Sequence, residues 1–364
     1  MTIDYKDILD LRDGIAKIDK ENVLRSIELL SEQCRHSWED VEKIHVPVYK
    51  DIKAVVMCGM GGSGLGARLI ESVYADEIKI PLIRINDYDL PRFVDKNTLV
   101  ICSSYSGETE ETLSNARQAI KAGAKWMAIG GGNTLIAMAK EAKVPFYQIT
   151  PSYNPCNQPR MAIGYSVVGQ LSLAHKVGLI AFNKEDVDLI FNTNKEVLNK
   201  IKVEIGERKN EAKKLALKMK NKFVFYVSAR HLVGAMHVVN NQNNENAKTF
   251  TMDFAIPELN HHLMEGLSHP PFEIKNLFAF FADSNLYPDK IRKRLRITKD
   301  IVEKHGIDTY VYQVKSEKEI SQAFELIQFG IYVNFYLAIL YGQNPAPLPW
   351  VDYLKNRLGQ PLGK

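Results

Sequence analysis

Cysteine is scarce in this chain of 364 residues: four are present, at 34, 58, 102 and 156, and no two form a CxxC pair. Such spacing gives neither a disulfide framework nor a zinc knuckle, and a reducing cytoplasm is the expected location. Cys58 and Cys102 close apolar runs, where a thiol behaves as a small buried hydrophobe. Charge of one sign is also lacking. A net charge of +4 over this length gives no electrostatic case for a nucleic acid partner or an anionic membrane. The first residues are polar and acidic (Asp4, Asp7, Asp10), unlike a secretory leader. No apolar run approaches the roughly 20 residues needed to cross a bilayer. Low-complexity tracts are absent. With 25% charged and 45% hydrophobic residues, the composition is that of an ordinary globular protein, and its length favours two domains over one.

What is present is a rhythm of short apolar runs between helical stretches. Apolar spacing at Ile15, Ile18, Val23, Ile27 and Leu30 predicts one leading helix over about 15–34. Strand-like runs follow at 54–58, 80–85, 98–101, 126–129 and 144–149, and 171–179 reads as a further apolar helix. From Lys184 to Lys222 the chain becomes charge-rich and reads as a solvated connecting helix. A second strand series occupies 223–228, 250–254, 277–282 and 310–314, followed by a largely apolar helix over 316–341. Strand and helix alternating in this way predict parallel sheets covered by helices, with right-handed crossovers. The expected division is a first domain over 1–190, a connecting helix over 191–221, a second domain over 222–343 and a closing segment over 344–364.

Two loops carry the chemistry. Gly59-Met60-Gly61-Gly62-Ser63-Gly64 follows the first strand, and Ser103-Ser104-Tyr105-Ser106-Gly107-Glu108-Thr109 follows the third. Both therefore fall at carboxyl ends of strands, where ligands of open parallel sheets bind. Glycines let main-chain N–H groups turn toward an anion, a helix N-terminus adds positive dipole, and hydroxyls donate further bonds. Gly61, Gly62, Ser63, Ser104, Tyr105, Ser106 and Thr109 are the expected phosphate ligands. The first loop also satisfies GxGxxG, with Asp87 near the end of the next strand, so a dinucleotide site competes. A Walker loop does not, because Leu65-Gly66 stands where Lys-Ser/Thr is required. Helix capping explains any one of these hydroxyls, though not all of them in two loops.

GxGGSG followed by S-x-S-G-x-T resembles the sugar isomerase (SIS) domain. Gln158-Pro159-Arg160, Asn244-Glu245-Asn246-Ala247-Lys248, Glu258-Leu259-Asn260-His261 and Pro349…Leu354-Lys355 resemble the bifunctional phosphoglucose/phosphomannose isomerases, in that family's order from about residue 50 onward. The resemblance implies an α/β fold of two tandem SIS domains, each a flavodoxin-like three-layer αβα sandwich. It also implies interconversion of glucose 6-phosphate and fructose 6-phosphate through a cis-enediol(ate), with mannose 6-phosphate as a further substrate. No cofactor is implied. By the same resemblance Glu245 is the base, Arg160 stabilises the enediolate, and His261 and Lys355 open the ring. His261 would enter the active site of the partner in a homodimer.

The residues fit that chemistry on their own terms. One carboxylate can take a proton from one carbon and return it to its neighbour, and a fixed guanidinium beside developing negative charge acts by preorganised electrostatics. His261, Glu265 and His269 recur every four residues and would align as metal ligands on an unbroken helix, but Pro270-Pro271 follow, and no metal is expected. Two departures from the family pattern stand out. His237 to Gln242 lacks the Arg and Lys that many relatives carry, and 345–349 lacks a hydroxyl used by relatives that accept mannose 6-phosphate. Two alternatives share the pocket: an SIS isomerase for another sugar phosphate, and a non-catalytic sugar-phosphate sensor.

Overall fold

The computed structural model describes residues 7–359, apart from the side chains of 271–273. It divides into two units, each assembled from two stretches of chain: Glu28–Phe191 with Pro347–Lys364 (the first unit), and Met1–Ile27 with Asn192–Ala346 (the second). One junction falls between Phe191 and Asn192. Both ends of the chain, however, group with the domain farther along the sequence from them.

The leading helix is broken into α1 (Arg12–Ala16), α2 (Val23–Glu28) and α3 (Leu30–Glu42). The cause is local. Asp19 accepts hydrogen bonds from the main-chain N–H groups of Val23 and Leu24, both at 2.8 Å, and Asn22 takes a positive φ of 61°. An aspartate that binds the backbone ahead of it starts a new helix instead of extending the old one.

The first unit continues with β1 (Ala54–Cys58), α4 (Leu65–Val73), β2 (Leu82–Ile85), β3 (Thr98–Ser104), α5 (Glu110–Lys121), β4 (Lys125–Gly130), α6 (Asn133–Glu141), β5 (Phe146–Gln148) and α7 (Gly169–Lys176), and α8 (Lys184–Ile201) runs through the junction at 191. Its sheet has the order β2-β1-β3-β4-β5 and is parallel throughout. Alternate residues of the central strands (Val56, Cys58, Val100, Cys102, Trp126, Ala128) pack against Leu113 and Ala116 of α5 and Leu135 and Ile136 of α6. The intervening residues are buried as well, which is why these strands read as continuous apolar runs.

The second unit holds α9 (Glu211–Met219), β6 (Phe223–Ala229), α10 (Val233–Asn246), β7 (Thr251–Ile256), α11 (Leu263–Gly266), β8 (Leu277–Ser284), α12 (Asp289–Lys304), β9 (Asp308–Val314) and α13 (Glu319–Leu340). The order β7-β6-β8-β9, again parallel, repeats the first four positions of the other sheet. Both are doubly wound sheets of the flavodoxin type.

By length and composition α13 could cross a membrane, yet its apolar window is entirely buried in the fold, so it serves as the core helix of its unit. Tyr312 of β9 stacks on its Phe329, ring centroids 4.0 Å apart. Its Glu325 carboxylate is buried, where it accepts hydrogen bonds from the N–H groups of Lys315 and Ser316 and closes the turn into the helix.

The charged stretch after 184 is not one solvated helix. It forms α8 and α9, and Lys213 of α9 is fully buried. Its ammonium meets Asp10 at 2.7 Å and the carbonyls of Val203 and Ile205 at 2.7 and 2.9 Å. A buried cation persists only when its donors are satisfied in this way.

Candidate active site

The first unit brings both glycine- and hydroxyl-bearing loops to the carboxyl ends of β1 and β3 and fastens them together. The main-chain N–H of Tyr105 donates to Ser63 Oγ at 2.9 Å. The Gln170 amide donates to the carbonyl of Ser63 at 2.8 Å and reaches the hydroxyl of Ser103 at 3.4 Å. Gln170 is fully buried on α7 and was not singled out from the sequence, although an isolated amide inside an apolar helical run is itself a signal.

Within the second loop Ser104 is the organiser. Its hydroxyl lies 2.8 Å from Thr109 Oγ1 and 3.4 Å from Ser106 Oγ, and it accepts from the N–H groups of Gly107 and Thr109 at 3.1 and 3.4 Å. Three hydroxyls are thus held within one turn of chain, leading into the N-terminus of α5. Gly107 is required by geometry, because a positive φ suits a residue without a Cβ. Its φ is +73, in degrees, and a Cβ there would lie 2.0 Å from the carbonyl oxygen of Gly132.

Arg160 belongs to the same place. It lies on a short 3-10 turn, Pro159–Met161, and is only 2% exposed. A Cβ on Gly62 would sit 3.3 Å from the Pro159 carbonyl oxygen and 3.4 Å from the Arg160 Cα, so the glycine lets that turn close against the first loop. The guanidinium donates to Gln158 Oε1 at 3.0 Å. Tyr105 ties the second loop to this segment: Asn154 donates to its hydroxyl at 3.2 Å, and the hydroxyl donates to Asn157 Oδ1 at 3.3 Å. Burial pushes the Tyr105 phenol above its ordinary pKa, so it stays a neutral donor at physiological pH. Asn154 and Asn157, which anchor Tyr105 beside the two loops, were not singled out from the sequence. Hydroxyls, main-chain N–H groups and one buried guanidinium are the kinds of donor that a phosphate ester calls for.

Glu245 and His261 lie in the second unit, at opposite ends of β7. Glu245 is half-buried near the C-terminus of α10. The neighbouring Asn244 amide donates to the Thr251 carbonyl and hydroxyl at 3.2 and 2.9 Å, which fixes this end of the helix at the start of the strand. His261 is exposed in the turn Glu258–His261, beyond the far end of the same strand. Five residue steps from Thr251 to Ile256, at about 3.3 Å each, separate the two ends by roughly 17 Å.

Where relatives carry Arg and Lys, this chain has its own network. His237 Nδ1 is 3.1 Å from Asp253 Oδ1, and the Asn241 amide reaches His237 Nε2 at 3.1 Å. With Asn241 as donor, the ring proton sits on Nδ1 and points to the carboxylate. His237, Asn241 and Glu245 recur every four residues along α10 and so share a face of the helix.

Lys355 is half-buried on α14 (Pro349–Leu358), whose stripe of Trp350, Tyr353, Leu354 and Leu358 is exposed. The metal alternative at His261, Glu265 and His269 loses its helical continuity, because His261 precedes α11 in a separate turn. Among the described residues no cluster of three His, Cys, Asp or Glu side chains is arranged to hold a metal ion.

Three comparisons bear on this arrangement. The family described as the bacterial phospho-glucose isomerase C-terminal SIS domain matches residues 208–358. A bifunctional phosphoglucose/phosphomannose isomerase of Caldicellulosiruptor bescii is 35% identical over 93% of this chain and 99% of its own length. One from Aquifex aeolicus is 28% identical over 88% of this chain and 94% of its own length. Among solved structures, a hypothetical protein from Thermus thermophilus superposes with a TM-score of 0.74 at 15% identity, covering 98% of this chain and 93% of that one, a likeness of fold.

Proposed function

The chain belongs to the family of bifunctional phosphoglucose/phosphomannose isomerases, and from that premise we propose how its residues carry out an aldose–ketose isomerisation. The enzyme interconverts glucose 6-phosphate and fructose 6-phosphate, with mannose 6-phosphate as the epimeric aldose. The 6-phosphate sits on the N–H groups and hydroxyls of Gly61, Gly62, Ser63, Ser104, Tyr105, Ser106 and Thr109. His261 and Lys355 open the ring: the proton leaves the C1 hydroxyl and one is delivered to the ring oxygen, leaving the open-chain aldehyde. Glu245 removes the proton from C2, and the electron pair flows into a C1–C2 double bond as the carbonyl oxygen gains negative charge. Arg160 holds that enediolate oxygen. The proton of the C2 hydroxyl passes to the C1 oxygen, the same carboxylate returns the carbon-bound proton to C1, and the ketose results.

The observation that carries this reading is the closure of the Arg160 turn onto Gly62. The main chain carrying Arg160 lies against the first loop, which supports Arg160 as the cation that enediolate chemistry needs beside a phosphate grip. The separation of Glu245 from His261 along β7 supports a homodimer in which each histidine serves the other chain's carboxylate. A coupled assay supplying fructose 6-phosphate and measuring both aldoses tests the proposal. Absence of both products would overturn it.

A further inference from the structure

The second unit has a cavity that the isomerase chemistry does not use. It is an open concavity of about 420 Å³, lined by Lys290, Lys293, Arg294 and Thr298 of α12 together with Asn260 and Met264 of the segment after β7. We propose that this cavity binds a small phosphorylated metabolite.

Charge is the first argument. The opening turns of α12 carry Lys290, Arg292, Lys293, Arg294 and Arg296 against a single Asp289. Farther along the helix, Lys299 pairs with Glu303 at 2.6 Å and Lys304 with Asp300 at 2.7 Å. Among the described residues, Lys290, Lys293 and Arg294 form no ion pair. Three cations line one concavity, and a dianion bound there offsets their mutual repulsion. Their place near the helix N-terminus adds dipole of the same sign.

Geometry is the second. Thr298 is 1% exposed, and its hydroxyl accepts from the Asn260 amide at 2.7 Å while donating to the Arg294 carbonyl at 2.8 Å. Arg294 Nη1 reaches Asn260 Oδ1 at 3.4 Å. This interlock holds the Asn260 amide against α12 beside the exposed Arg294 guanidinium, which carries five N–H donors, most of them still available for an anion. The volume lies within the roughly 300–1,000 Å³ of small-molecule sites. Phosphate esters suit the set better than a monocarboxylate, because a dianion matches several cations and Arg binds phosphate in fork geometry. A concavity of this size also suits a metabolite rather than a nucleic acid.

Asn260 directly precedes His261, so an occupied cavity braces the segment that presents the histidine. That consequence for turnover rests on the isomerase reading; the binding site does not.

Inorganic pyrophosphate and glycerol 3-phosphate serve as probes of the full-length protein, separating free phosphates from phosphate esters. Hydrogen exchange followed by mass spectrometry should slow in 258–266 and 289–299 when a probe is added. In the K290Q/K293Q/R294Q variant that protection should vanish, with affinity lowered about 30-fold or more. Binding at the active-site loops would protect 59–64 and 103–109 instead, in both proteins. Protection at α12 that persists in the triple variant, or is absent from the wild type, overturns the proposal. Failure to isomerise hexose phosphates, with α12 still protected, would overturn the isomerase reading alone.

Discussion

Ser63 and Tyr105, 42 positions apart in sequence, are joined by a 2.9 Å hydrogen bond from the tyrosine's main-chain N–H to the serine's hydroxyl. The bond makes one device of two loops. A phosphate held by the second loop is thereby indexed to the first, and through Gly62 to Arg160. Five measurements probe this arrangement and the packing behind it.

Glu245→Gln keeps the shape of the carboxylate and removes its basicity. Turnover of fructose 6-phosphate should fall by about 10²–10⁴-fold with little change in KM, the usual scale for losing a general base. A variant with wild-type kcat would dismiss Glu245 as the proton shuttle.

Ser104→Ala deletes the hydroxyl around which Gly107, Ser106 and Thr109 are arranged. Hydrogen bonds to a charged group contribute about 1.5–3 kcal/mol, so KM should rise by roughly 10- to 100-fold, more than kcat falls. Steady-state kinetics with glucose 6-phosphate decide the matter. An unchanged KM removes this loop from the phosphate site.

Glu245→Gln and His261→Ala chains, each inactive alone, should complement when unfolded together and refolded as a mixture. If sites are shared across a dimer, half the dimers are mixed and each carries one intact site. Recovery should approach about a quarter of wild-type activity. No recovery, with mixed dimers verified by mass, would place both residues in one chain's site.

His231 is 1% exposed, and burial lowers its pKa to about 4, even though the Gln322 side chain bonds to Nε2 and opposes the shift. Glu319 stands 3.4 Å from Nδ1, and Arg230 is adjacent in sequence. The folded protein keeps this ring neutral while the unfolded chain protonates it near pH 6.5. Its contribution to stability is therefore constant above that value and lost as pH falls from about 6.5 to 4, by about 3 kcal/mol at most. Urea midpoints measured across this range should fall with pH, and His231→Gln should flatten the slope. A slope unchanged by the substitution would assign it to other groups.

Asp10→Ala leaves the Lys213 ammonium with two carbonyls and no counter-charge. Asp10 is half-exposed. The cost should therefore be about 2 kcal/mol, below the roughly 3–5 kcal/mol of a fully buried pair. Lys213→Met, which removes the charge itself, should cost less than Lys213→Ala, which also opens a cavity. Chemical denaturation of the three variants gives that order or refutes it.

The two loops and the parallel strands were legible because both obey short-range rules. Short apolar runs read as strands, and β1 begins and ends where the pattern places it, at Ala54 and Cys58. The break at Asp19 escaped, since periodicity registers apolar faces and passes over a carboxylate that binds N–H groups four and five residues ahead. Lys213 escaped for a different reason. Its partners are residue 10 and two carbonyls at 203 and 205, and no local pattern reports a contact that spans most of the chain. Gln170, Asn154 and Asn157 belong to the same class: each matters through what the fold brings to it. Glu245 and His261 could be named from motif resemblance, but their placement at opposite ends of β7 is a property of topology alone.

The second unit is built from two distant stretches of the polypeptide. Gln328 of α13 donates to the carbonyl of Ile27, Asn344 to the carboxylate of Glu21, and Lys213 pairs with Asp10. The first unit draws its whole sheet from the contiguous run 28–191 and adds only 347–364 from farther along. Synthesis proceeds from the N-terminus, and domains tend to fold as they emerge. That run is complete while the segment ending at Ile27 still waits for α13, which begins only at Glu319. An early part of the chain to leave the ribosome is thus among the last to find its place. Truncation after residue 191 should release one folded sheet and a leader with nothing to pack on.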